Sequence, residues 1–173
     1  MKVLCIIPAR YASTRLPGKP LRDIAGKPMI VRVYERAVRA KLVQDVVVAT
    51  DDERIRVAVE EYGGRAVMTR VDHATGTDRL AEVAEKMTDY DLIINVQGDE
   101  PLIDPAVIDA LVEPFLADET LPMATAKTLL TDEEEMANPN NVKVITDLSG
   151  NALYFSRARI PYARNEGANV YKH

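Results

Sequence analysis

Short apolar runs recur along the first half of the chain, and each is followed by a longer stretch in which apolar residues return every three to four positions. Residues 3–7, 46–49 and 92–96 read as strands covered on both faces of a parallel sheet, with a shorter one at 66–68. Between them, Met29, Ile30, Val33, Tyr34, Ala37 and Val38 keep a helical period. So do Ile55, Ala58, Val59 and Tyr62, closed by Gly63-Gly64, and then Leu80, Val83, Ala84 and Met87. Pro28 suits the first turn of a helix, and Pro105 opens another with Val107, Ile108, Leu111, Val112 and Phe115 facing inward. Residues 123–126 are expected to return to the sheet. Residues 142–145 and 152–155 flank Asp147-Leu-Ser-Gly-Asn151, which predicts a hairpin. Strands alternating with helices of this length imply a three-layer α/β/α domain with a mainly parallel, mixed sheet. The 173 residues are expected to form a single domain, with the hairpin in 142–173. In such sheets ligands bind outside the carboxyl ends of the strands, so the loops after residues 7, 49, 68 and 96 should line one crevice.

The loop at 8–19 carries the clearest chemistry. Arg10, Arg15 and Lys19 place three cations within ten residues, with the hydroxyls of Ser13 and Thr14 between them. Phosphoryl oxygens need donors and positive charge, and a guanidinium can bind two oxygens at once. Neither Gly-rich phosphate fingerprint, G-x-x-x-x-G-K-[ST] or G-x-G-x-x-G, occurs. The alternative is a basic surface loop. The charge distribution favours the first reading: residues 1–41 hold ten Lys/Arg and two acids, +8, whereas the whole chain is −5 and its remainder −13. A basic segment on an acidic protein suits a small polyanion. The net charge argues against a general nucleic-acid or anionic-membrane binder.

Three further segments are candidates. In 95–101, Gln97, Asp99 and Glu100 leave the end of a strand. A carboxylate there can hold Mg²⁺, which takes one or two carboxylates and fills its other positions with water and phosphate oxygens; alternatively Asp99 caps a turn before Pro101. In 70–79, Thr75 or Thr77 caps a helix and Gly76 permits close backbone approach, so a base can be read by main-chain groups there. The alternative is a plain capping loop, and His73 is a weak clue. Arg157, Arg159 and Arg164 follow a predicted strand and suit a carboxylate substrate or, alternatively, a charged surface. Two histidines and one cysteine make no His/Cys zinc site. The lone Cys5 reads as a small buried hydrophobe, and with no possible internal disulfide it points to a reducing cytoplasm. No apolar run approaches the ~20 residues of a membrane span, and the N-terminus reads as a strand rather than a signal peptide.

PARYASTRLPGKPL, IAGKPMI, ATD, NVQGDEP and ALYFSRARIPY follow one another in order. On these motifs the chain resembles the 3-deoxy-manno-octulosonate (Kdo) cytidylyltransferases over residues 2–173. NVQGDEP, ALYFSR and IPY point to the Kdo enzymes rather than to relatives that activate sialic acid. The resemblance implies a nucleotidyltransferase domain that uses CTP and Kdo to make CMP-Kdo and pyrophosphate for lipopolysaccharide synthesis. It implies that Ala9, Arg10, Ser13, Thr14 and Lys19 hold CTP, with Arg10 and Lys19 on the phosphates. Asp72, Thr75, Gly76 and Thr77 would lie near the cytosine, and Asp99 would bind Mg²⁺. Gln97, Arg157, Arg164 and His173 would face the sugar acid. The catalytic set is then Arg10, Lys19 and Asp99. A homodimer is implied for the full-length form. The family's C-terminal part, with a second metal-binding aspartate, is expected beyond these 173 residues. Two alternatives stay open: a non-catalytic nucleotide-binding module, and a transferase acting on sialic acid or another acidic sugar.

Overall fold

Residues Val3–Ala9 form the central strand, β1, because five consecutive apolar side chains can be buried only where both faces of a sheet are covered. The computed structural model describes residues 1–12, 16–162 and 169–173. These fall into two compact units, Met1–Leu121 and Pro122–His173.

In the first unit β1 is followed by a small hairpin, β2 (Asp23–Ile24) and β3 (Lys27–Pro28), and by α1 (Met29–Ala37). Then come β4 (Asp45–Thr50), α2 (Glu53–Glu61), β5 (Ala66–Met68), α3 (Gly76–Lys86), β6 (Leu92–Asn95) and α4 (Pro105–Ala117). The main sheet has the order β5-β4-β1-β6, with every pairing parallel. Alternate residues of β1 serve opposite faces. Val3, Cys5, Ile7 and Ala9 pack with Ile30, Val33, Ile55, Val59, Ile108 and Val112 of α1, α2 and α4. Leu4 and Ile6 pack with Leu80 and Val83 of α3. The expected three layers are therefore present, and each fully buried Val, Leu or Ile contributes about 1.5–3 kcal/mol relative to exposure. Cys5 is 0% exposed, and burial pushes its thiol up to about 12, as suits an inert hydrophobe.

Helix starts follow side-chain chemistry. Asp52 accepts from the Arg54 N–H and starts α2. Asp104 accepts from the Ala106 N–H, with Pro105 as the first helical residue of α4. Two expectations need correction here. Pro28 precedes α1 as its N-cap rather than sitting in its first turn. Val107 is 41% exposed, because the buried stripe of α4 runs through Ile108, Val112 and Phe115, leaving residue 107 to one side.

The second unit contains β7 (Thr128–Leu130), α5 (Glu133–Ala137), β8 (Lys143–Thr146), β9 (Ala152–Ser156) and β10 (Val170–Lys172). Its sheet has the order β7-β10-β8-β9 and is antiparallel throughout. The predicted hairpin is β8–β9, turned through 147–151 with Gly150 at φ +88°. Residues 123–126 are not a strand; the strand begins at Thr128 and joins this antiparallel sheet. The correction has a local cause, since the β-branched Thr128 and the apolar pair after it find partners in β10.

Candidate functional site

The order β5-β4-β1-β6 reverses at β1: the chain builds outward through β4 and β5, then returns to the other side of β1 with β6. A parallel sheet opens at such a reversal, because the loops leaving the two neighbouring strands go to opposite faces. Pro8 sharpens the opening. It has no N–H to donate, so the β1–β6 ladder stops at Ile6↔Asn95 while the β1–β4 ladder continues to Ala9↔Thr50. The carbonyl of Pro8 is instead approached by Gly98, where a Cβ would stand 2.5 Å from that oxygen. Backbone cannot yield as a flexible side chain does. Gly98→Ala is therefore expected to destabilise the protein by about 1–3 kcal/mol, as overpacking does. An unchanged thermal midpoint would remove Gly98 from the determinants of the crevice.

Two loops meet across this opening. Lys19 Nζ, from the loop after β1, lies 2.5 Å from Asp99 Oδ2, from the loop after β6. Both side chains are partly exposed, so the pair adds little stability, but it puts a cation and an anion at one point of the crevice. Asp99 therefore faces Lys19, and the cap of the following helix is Asp104. Gln97 is exposed beside it and its carbonyl accepts from the Glu100 N–H.

The loop after β1 is held at both ends. The Gly18 N–H donates to the Tyr11 carbonyl at 2.9 Å, and Gly18 takes a φ of +69° that L side chains resist. The Arg54 guanidinium stacks 3.4 Å from the Tyr11 ring centroid and is itself gripped by both Asp52 oxygens. Ala9 is buried at the end of β1. Next to it, the Nη2 of Arg10 is buried and has no hydrogen-bond partner among the described residues. An orphaned guanidinium nitrogen at a strand's carboxyl end is what an anionic ligand would satisfy. Ser13 and Thr14 lie outside the described residues, as does Arg15.

The 70–79 segment is fixed to α3. Thr75 is the cap: its hydroxyl accepts from the Asp78 N–H, and Asp78 accepts from the Thr75 N–H at 2.8 Å. The Thr75 hydroxyl also donates to Asp78 Oδ2 at 2.7 Å, and this bond, followed by that from the Thr75 N–H, holds the Asp78 carboxyl below its ordinary range, with a smaller contribution from the nearby Arg10 charge. Gly76 passes close to the Pro8 ring, where a Cβ would stand 3.4 Å from Cγ. Thr77 and Asp72 are exposed, and Asp72 faces Arg70 at 3.3 Å. His73 is buried against Glu82 at 2.5 Å. Lys86, His73 and the Arg70 N–H hold the Glu82 carboxyl down to about 2. A cavity of about 450 Å³ lies here, lined by Arg70, Asp72, His73, Asp78, Glu82 and Glu85 among others. Its four carboxylates repel a phosphate, so this cavity does not suit a polyphosphate.

Arg157 and His173 belong to the second unit. Arg157 donates to the Pro139 carbonyl at 2.8 Å. His173 Nδ1 lies 2.8 Å from Thr125 Oγ1, with its ring edge-on to Phe155. Lys143 is fully buried and donates to the carbonyls of Asn138, Asn141 and Arg157, fixing where Arg157 leaves β9. Arg164 lies outside the described residues. Tyr11, Arg54, Arg79 and Lys143 were not singled out by the sequence reading. Only for Arg79 was there a signal, its place on the same helical face as Leu80 and Val83.

A parallel sheet opened at its reversal, with a cationic loop on one side and a carboxylate on the other, suits an anionic ligand, and the fold is that of the nucleotidyltransferases. The cytidylyltransferase family model matches residues 4–173, and the chain belongs to that family, among the 3-deoxy-manno-octulosonate cytidylyltransferases. The protein of that name from Geobacter metallireducens is 55% identical over 166 residues, which cover 96% of this chain and 65% of that protein. The one from Fusobacterium nucleatum is 55% identical over 174 residues, covering 100% of this chain and 71% of its own length. A solved structure of CMP:2-keto-3-deoxy-manno-octonic acid synthetase complexed with CTP superposes with a TM-score of 0.95 at 51% identity, covering 100% of this chain and 71% of that one. The chain thus spans less than two thirds of the Geobacter relative.

Proposed function

We propose that this chain carries the nucleotide site of an enzyme that transfers CMP from CTP to Kdo, giving CMP-Kdo and pyrophosphate for lipopolysaccharide synthesis. The observation that carries this reading is the meeting of Lys19 and Asp99 at the β1–β6 opening. In the reaction the sugar hydroxyl oxygen bonds to the α-phosphorus, the bond from that phosphorus to the bridging oxygen breaks, and the hydroxyl proton is lost to solvent. Arg10 and Lys19 neutralise the charge that grows on the departing pyrophosphate. The main chain at Ala9 and the hydroxyls of Ser13 and Thr14 hold the phosphates in line. Asp72, Thr75, Gly76 and Thr77 border the cytosine, with the Thr75 hydroxyl already committed to its cap. The residues that the resemblance implies for the sugar acid are Gln97, Arg157, Arg164 and His173; its carboxylate suits a guanidinium fork.

Asp99 would hold Mg²⁺. No group of three potential metal ligands occurs among the described residues, and a single carboxylate fits an ion that draws its remaining ligands from water and phosphate. When bound, the ion supplies Lewis acidity to a phosphate oxygen. The reading also includes a cytoplasmic setting and a homodimer in the full-length form, with neither nucleic acid nor membrane as a partner; no helix among the described residues is long and apolar enough to cross a membrane. The test is pyrophosphate release from CTP and Mg²⁺ with Kdo or sialic acid, using the Fusobacterium relative as positive control. Release with Kdo alone is expected. Release with sialic acid and not Kdo would sink the substrate assignment.

A further inference from the structure

Among the described residues, Arg79 and Lys143 are the two largest that are fully buried. A buried guanidinium is costly unless it is paired and bonded, so its partners indicate what it is for. Arg79 projects from α3 to two loops at the carboxyl edge of the main sheet. Its Nη2 donates to Asp51, just after β4, at 2.8 Å. Its Nη1 donates to the Thr69 hydroxyl and reaches the Arg70 carbonyl at 3.4 Å, just after β5. One turn further along α3, Glu82 accepts from the Arg70 N–H at 3.0 Å and pairs with His73. The capping box closes the other end at Thr75 and Asp78. The segment 69–75 is therefore clasped to a single helix at four residues, Thr69, Arg70, His73 and Thr75, and Arg79 alone among these ties also reaches the neighbouring loop at Asp51.

We propose that Arg79 is a positioning residue for base discrimination. This rests on the reading above that residues 72–77 border the cytosine. At 0% exposure Arg79 does not touch a ligand; it fixes the segment that does. Cytosine and uracil have nearly the same shape but opposite hydrogen-bonding edges: the donor amine at C4 and acceptor N3 of cytosine become an acceptor carbonyl and a donor N3–H in uracil. Main-chain groups tell them apart only when held to within a few tenths of an ångström, since a slack loop turns to suit either pattern. Arg10 and Lys19, proposed above for the triphosphate, stand on β1 and its loop, and none of the clasp's bonds described above involves either.

The experiment is calorimetric titration of the folded chain with CTP, UTP and inorganic tripolyphosphate. Arg79→Met is expected to lower the CTP-to-UTP affinity ratio about tenfold, through loss of CTP affinity, while tripolyphosphate binding stays within about twofold. Arg79→Lys should recover part of the ratio, and Thr69→Val, which removes one tie with little change of shape, should fall between. An unchanged ratio in folded Arg79→Met, or an equal loss for all three ligands, overturns the proposal. If Arg79→Met does not fold, an unchanged ratio in Thr69→Val overturns it. Equal binding of CTP and UTP by the unmodified chain would instead refute the base role of residues 72–77, and this inference with it.

Discussion

In the full-length form of the enzyme proposed above, Asp99→Asn should reduce pyrophosphate release from CTP and Kdo by about 10²–10³-fold, the scale on which lost transition-state electrostatics is felt. The substitution keeps the size of the side chain and a hydrogen-bonding oxygen but removes the charge that would hold Mg²⁺ at the β1–β6 opening. The loss should not be recovered by raising the Mg²⁺ concentration. Folding is expected to be intact, because Asp99 is exposed and its ion pair to Lys19 is half in solvent. Normal rates with normal Mg²⁺ dependence would place the metal elsewhere.

The second large effect concerns the other half of that pair. Lys19→Ala should weaken CTP binding about 10–100-fold, corresponding to the ~1.5–3 kcal/mol of a charge-assisted contact. Calorimetry with CTP measures it directly. An unchanged affinity would reduce the 8–19 loop to the basic surface loop that its composition also allows. Because Lys19 and Asp99 meet at 2.5 Å, the two substitutions share a partner and should not add: Asp99→Asn frees the Lys19 ammonium, and part of the CTP affinity in that variant depends on it.

The sheet was legible because burial on both faces demands apolar runs that few other structures need, and residues 3–7 are such a run. Residues 123–126 misled for the opposite reason: four modest residues without alternation carry no information about pairing, and pairing decided for Thr128–Leu130. Lys19 and Asp99 were each visible as chemistry at the end of a predicted strand. Their meeting was not, because 80 residues separate them and only the strand order brings their loops together. Arg79 was hidden by its own type. A long charged side chain within an amphipathic helix passes for solvated surface unless its place on the buried stripe is noticed.

The crevice mouth has a consequence for altering this protein. Its width is set where the Pro8 carbonyl meets Gly98, between main-chain atoms at the end of a ladder that Pro8 interrupts. The exposed side chains of the rim, at Asp72, Thr77 and Gln97, can therefore be exchanged without moving the opening itself. Redesign of specificity should be tolerant at those positions and unforgiving at Pro8 and Gly98, where a single methyl group alters the frame that every rim residue is mounted on.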